Sequence, residues 1–150
     1  MKKFLFLFFL VSNLTFSQNI NANELISISN MSLEKFDSFI NSKNYKYFRN
    51  VSDNNSSGIR YRYLSNGTKR YCSLNKYEDD ISIVTYQTFS NKDYVNLKGQ
   101  IKNLGYKLTE QGEFQGAPYF EFRKGDNSFT IYLFTIDGIN SYEISYSKNY

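Results

Sequence analysis

The sequence predicts an α+β fold: a tandem duplication of an αββββ unit, with antiparallel sheet or sheets and two helices packed on one face. Three observations predict it. Two segments, near 33–43 and 91–104, carry apolar residues at helical spacing. Eight short segments alternate apolar and polar residues between turn residues. The two sets then recur in one order at nearly constant spacing. Phe36 to Ile40, followed by Asn44-Tyr45-Lys46, matches Leu97 to Ile101, followed by Gly105-Tyr106-Lys107, at an offset of 61. Arg60-Tyr61-Arg62-Tyr63 matches Tyr119-Phe120-Glu121-Phe122 at 59, as Cys72 and Leu74 match Ile131 and Leu133. Val84-Thr85-Tyr86 matches Ile144-Ser145-Tyr146 at 60.

Residues 1–17 stand outside this pattern. Lys2 and Lys3 precede an unbroken apolar run from Phe4 to Val11, and Thr15 and Ser17 sit at the −3 and −1 positions of a cleavage site. This is the pattern of a secretory signal peptide of bacterial type, and it predicts a periplasmic or secreted protein. The apolar run is too short to cross a bilayer, so no membrane span is expected after the signal is removed. The mature chain then starts near Gln18. Residues 18–31 read as a linker or, at 25–29, an extra edge strand. Residues 32–90 form the first αββββ unit and 91–150 the second, sharing one core, because about sixty residues bury too little surface alone.

In the first unit, Ser32 caps a helix over 33–43 whose Leu33, Phe36, Phe39 and Ile40 face inward, and Asn44 stops it. Strands follow at 45–49, 59–64, 69–75 and 81–88. Asn66-Gly67 is the pair of a two-residue hairpin turn, and 52–57 reads as a polar loop. In the second unit, Tyr94, Leu97, Ile101 and Leu104 form one helical stripe, capped by Ser90 or Asn91 and ended by Gly105. Strands follow at 106–110, 119–123, 128–135 and 141–147, with a loop at 111–118 and turns at Gly125 and Gly138. Period-two patterning turns Tyr61, Tyr63, Cys72, Leu74, Val84 and Tyr86 toward the helices, with Phe120, Phe122, Phe129, Ile131, Leu133 and Ile144. Arg60, Arg62, Tyr71, Ser73, Tyr119, Glu121, Arg123, Thr130, Tyr132 and Phe134 then project from the other face.

Composition narrows the chemistry. The 150 residues include no His, no Trp and a single Cys. Histidine-based nucleophile systems and His-ligated zinc are therefore excluded, and one Cys makes neither an internal disulfide nor a thiolate cage. Residues 1–17 contain two Lys and no acid, so the mature chain has 16 basic and 14 acidic side chains, a balance of +2. That near-balance, together with export, argues against a nucleic-acid partner.

The candidate sites are few. Cys72 alternates with Leu74 and reads as a small buried hydrophobe rather than an exposed thiol that pairs with another chain. Glu78-Asp79-Asp80 reads as a solvated turn, since the alternating ligands and glycine of a calcium loop are missing. Glu110, Glu113 and Glu121 flank the 111–118 hairpin, where two carboxylates would suit glycoside hydrolysis, but nothing in the sequence fixes their separation. No cofactor is expected. The distinctive surface is the open face, where Arg60, Arg62, Tyr71, Tyr119, Arg123, Tyr132 and Phe134 form a patch of residue types enriched at binding hot spots. The expected function is therefore a non-enzymatic exported protein that binds another protein in the envelope or outside the cell, as an inhibitor, immunity or assembly partner. A small-ligand or glycan binder is the alternative. A small outer-membrane barrel and a hydrolase come behind.

Overall fold

The computed structural model describes the backbone of residues 19–53, 56–64, 71–77 and 81–149, and their side chains except at 52–53, 56–57, 63–64, 71–72, 81 and 149. The segment 1–17 read as a signal, the Asn66-Gly67 turn and the 78–80 acidic cluster lie outside the described residues, as do the Tyr63, Tyr71 and Cys72 side chains.

The fold is α+β, with three helices and one eight-stranded antiparallel sheet among the described residues. Helix α1 (Ala22–Ser29) replaces the expected edge strand. Its start is a capping box: the Asn21 side chain accepts from the Glu24 amide at 2.9 Å, and the Glu24 carboxylate accepts from the Asn21 amide at 2.9 Å. Ala22, Leu25 and Ile28 are buried at helical spacing. The Leu-Ile-Ser-Ile-Ser alternation had imitated a strand period.

Helices α2 (Leu33–Ser42) and α3 (Asn91–Asn103) match their expected positions. Ser32 and Ser90 are the N-caps, each accepting from the backbone three residues on. Asn44 and Gly105 adopt left-handed conformations, with φ of 63° and 86°, which stops each helix. Leu33 is a correction: it is exposed, whereas Phe36 and Ile40 of α2 are buried in the core and Phe39 packs against it, half-buried.

The strands are β1 (Lys46–Asp53), β2 (Ser56–Leu64), β3 (Tyr71–Tyr77), β4 (Ile81–Thr88), β5 (Lys107–Phe114), β6 (Ala117–Lys124), β7 (Asn127–Ile136) and β8 (Ile139–Asn149). Their order is β1-β2-β3-β4-β8-β7-β6-β5, so two four-stranded meanders meet at β4 and β8. β1 and β5 are the edges, and no β1–β5 ladder closes a barrel among the described residues. The loops expected at 52–57 and 111–118 are mostly strand. Ser52 pairs with Ser57 and Asp53 with Ser56, while a two-residue turn at Gln115-Gly116 joins β5 to β6. Hydrogen bonding along the ladder outweighed the polar composition that marked these runs as loops.

Each meander is bulged in its first hairpin, between Tyr47 and Arg49 and between Leu108 and Glu110. Sheet position also revises the sequence alignment. Tyr61, bracketed by Tyr47 and Leu74, occupies the place that Phe122, bracketed by Leu108 and Phe129, holds on the other side of the seam. The sequence pattern had paired Tyr61 with Phe120 and Leu74 with Leu133. The β2–β3 connection spans 65–70, whereas Gly125-Asp126 alone joins β6 to β7, so one offset does not carry through every strand.

One core cluster draws on both halves and all three helices. Leu25, Ile28, Phe36, Ile40, Leu97 and Ile101 pack with Tyr61, Leu74, Val84, Tyr86, Phe122, Phe129, Ile131, Ile144 and Tyr146. Phe120 and Leu133 pack against it, half-buried. The period-two assignment of the core side therefore holds wherever side chains are described. Lys76 shares the parity of Leu74 and is buried on the same side.

Candidate binding face

The residues that alternate with the core form cross-strand rows. One row crosses all eight strands. On one side of the β4–β8 seam it runs from Arg49 through Arg60 and Asn75 to Thr85. On the other it runs from Ser145 through Thr130 and Glu121 to Glu110. Two arginines thus stand at one end, two glutamates at the other, and short polar side chains between. The adjoining row holds Lys46, Arg62, Ser73 and Gln87, then Glu143, Tyr132, Tyr119 and Gly112.

On the arginine half, the β1 bulge turns Phe48 and Arg49 together. The Arg62 guanidinium lies 3.5 Å from the Phe48 ring centre and that of Arg49 lies 5.3 Å from it. Arg60 donates to Asn75 at 2.7 Å. On the other half, Tyr132 is the hub of an aromatic group. Its ring lies 5.8 Å from Tyr119, 5.9 Å from Phe134 and 6.1 Å from Phe114. Contacts of this kind fix the rings while leaving part of each exposed. Tyr119 donates a hydrogen bond to Glu110, and Arg123 bridges to Glu121 at 2.9 Å.

The middle of the face is a hydrogen-bonded polar chain. Ser73 donates to Gln87, Gln87 donates to Ser141 at 3.0 Å, and the Thr85 and Ser145 hydroxyls are 2.9 Å apart. Ser73, Asn75, Thr85 and Ser141 are buried. Glu143 sits among them, opposite Gln87 and Tyr132. Burial pushes its carboxyl above the usual range, and Arg60 pulls the other way. The Tyr132 phenol is pushed up by burial and then by the Glu143, Glu121 and Glu110 charges. The Tyr119 phenol is pushed up chiefly by its bond to Glu110.

Of the residues singled out from sequence, Tyr119, Tyr132 and Phe134 come together in the aromatic group. Arg60 and Arg62 lie on the opposite half, and Arg123 lies one row away from Arg60 and Glu121, tied to Glu121. Tyr71 belongs to β3, but its side chain is outside the described residues. Sequence reasoning missed Phe48 and Arg49, whose shared face needs a bulge that period two cannot express. It missed Phe114 by assigning it to a loop. It noted Glu110 and Glu121 only as candidate acids, without the row that sets them opposite two arginines. Glu143 was missed because a lone acid in an apolar strand gives no signal.

A cleft of about 350 Å³ lies where the start of α3 meets residues 19–24 and Lys43. Lys43 and Glu24 close one side through a 2.7 Å ion pair, and Asp93 accepts from Asn19 at 2.9 Å. Among the described residues no group of three His, Cys, Asp or Glu is placed to hold a metal. No helix among them is long and apolar enough to cross a membrane. In comparison with known proteins, the chain matches no family model, no curated sequence and no solved structure.

Proposed function

We propose that the chain is an exported, non-enzymatic binding protein, periplasmic or secreted, that recognises another protein through this Arg- and Tyr-rich sheet face. In this reading the chain is a tandem of two αββββ units, preceded by α1, and all three helices cover one side of the sheet. The other side is left as a broad platform. The observation that carries the proposal is the ordering of large planar side chains on that platform. Arg62 stacks on Phe48, and Tyr132 touches three rings, so these groups lose little rotamer freedom when a partner docks. Arg and Tyr so held are the residue types that dominate interface energetics.

The mature protein, beginning near Gln18, serves as bait in a pull-down from envelope extract and from culture supernatant. A single protein retained by the wild type and released by Arg62→Ala/Tyr132→Ala supports the reading. Retention of glycans on an array, with no protein captured, replaces it by a glycan-binding function of the same face.

A further inference from the structure

We propose that the partner which fits this face is a second copy of the chain, docked sheet to sheet about a two-fold axis parallel to the strands. The inference rests on the reading of the face as an interface and names its occupant. The row through Thr85 and Ser145 supplies the argument. Arg60 and Glu121 stand the same number of strands from the β4–β8 seam, and so do Arg49 and Glu110. A half-turn about an axis along the seam lays the arginine end of one copy over the glutamate end of the other, twice over. Opposite charges face each other at both ends.

The adjoining rows pass the same test. The half-turn sets Arg62 over Tyr119, a guanidinium over an aromatic ring, and Lys46 over Gly112. Arg123, which shares its row with Gly58, falls over that glycine and not over a cation. A two-fold axis across the strands instead sets arginine on arginine, which like-charge repulsion forbids. Glu121 and Glu110 already accept from Arg123 and Tyr119, but a carboxylate offers about four acceptor positions, so an incoming arginine adds to those bonds. Eight strands about 4.8 Å apart span roughly 34 Å, and about 20 Å along the strands gives a patch near 700 Å². That is close to the roughly 800 Å² per partner of a standard interface.

The test is sedimentation equilibrium of the mature protein from micromolar to submillimolar concentration. Three proteins are compared: wild type, Arg49→Glu/Arg60→Glu, and Glu110→Arg/Glu121→Arg. The wild type is expected to dimerise in low salt, with at least tenfold weaker association at about 1 M salt, where charges are screened beyond about 3 Å. Each variant alone is expected to be monomeric, because both of its ends then carry one sign. An equimolar mixture of the two is expected to recover the dimer, which also shows that both variants fold. A monomeric wild type, variants that dimerise like wild type, or a mixture that stays monomeric overturns the proposal. A monomeric wild type that still captures a foreign protein, lost on Arg62→Ala/Tyr132→Ala, overturns self-docking and leaves the binding function standing.

Discussion

Thr85 and Ser145 lie directly opposite each other on β4 and β8, sixty residues apart in sequence, with their hydroxyl oxygens 2.9 Å apart. This pair marks the seam between the two meanders. On its core side, Val84 pairs with Tyr146 and Tyr86 with Ile144, and all four are buried. The seam therefore joins the halves by an eight-pair ladder and by four buried core side chains.

The halves should accordingly be unable to fold apart. Helix α1 belongs to the first half, yet its Ala22 amide donates to Gln100 of α3 at 2.9 Å, and Lys148 of β8 donates to the side chain of Asn30, the residue that caps the end of α1, at 2.8 Å. Fragments 18–90 and 91–150 each lose the seam and expose half of one cluster. Circular dichroism of either fragment should show no cooperative thermal transition. A sharp transition in one of them would mean that it carries a sufficient core by itself.

Helix α3 gives a test of side-chain direction. Leu97 and Ile101 are buried, so Leu97→Ala and Ile101→Ala should each cost ~2–5 kcal/mol. Val95→Ala and Lys102→Ala should change stability by no more than about 0.5 kcal/mol, since both side chains are exposed. Urea denaturation of the four variants measures the contrast. Lys98 is not a neutral control: its ammonium donates to the Tyr94 hydroxyl and lies 4.2 Å from the Phe120 ring centre.

Two glycines should respond in opposite directions. A Cβ on Gly58 would stand 2.2 Å from the Lys76 carbonyl oxygen, a backbone atom of the neighbouring strand. Gly58→Ala must therefore push β2 from β3 and should cost about 2 kcal/mol or more, in the range of overpacking. Gly99 lies inside α3, and a methyl group added there would meet nothing within 4 Å. Gly99→Ala should stabilise the protein by about 0.5–1 kcal/mol through helix propensity. Thermal denaturation of both variants measures the two signs.

Glu143 sets a pH dependence. Its carboxyl is raised in the folded chain, so the fold favours the protonated form. The associated stability is fully present below the unfolded value and is lost as pH rises through the folded one. Glu143→Gln, neutral at every pH, should therefore unfold at a higher temperature than wild type at pH 7. The difference should shrink as pH falls through the window between the raised value and the ordinary 4.5. A gain that persists unchanged in acid would assign it to packing rather than to charge.

The legible part of this fold was the part written in short-range periodicity. Phe36, Ile40, Leu97 and Ile101 repeat at helical spacing, and Asn44 and Gly105 mark the stops. Tyr61, Leu74, Phe122 and Phe129 alternate with polar neighbours, so their side of the sheet could be assigned from sequence. Three things were not legible. The capping box at Asn21 and Glu24 was masked by a β-like alternation in Leu25–Ser29. The bulge that brings Phe48 and Arg49 together interrupts the very period used to find strands. The charge division of the open face depends on β4 pairing with β8, a contact between residues sixty positions apart that no local pattern encodes. Arg60, Arg62, Tyr119 and Tyr132 were chosen from strand alternation, but their membership of two distinct halves required the strand order.

The binding reading is decided by measuring affinity and thermal midpoint together on Arg62→Ala/Tyr132→Ala, with the captured partner or the second copy as ligand. Both side chains stand on the face away from the core cluster, Arg62 on Phe48 and Tyr132 among Tyr119, Phe134 and Phe114. The account predicts a loss of about 2 kcal/mol or more in binding, the scale of hot-spot truncation, with the midpoint close to wild type. Unchanged binding, or unfolding of the double variant at a much lower temperature, would contradict it.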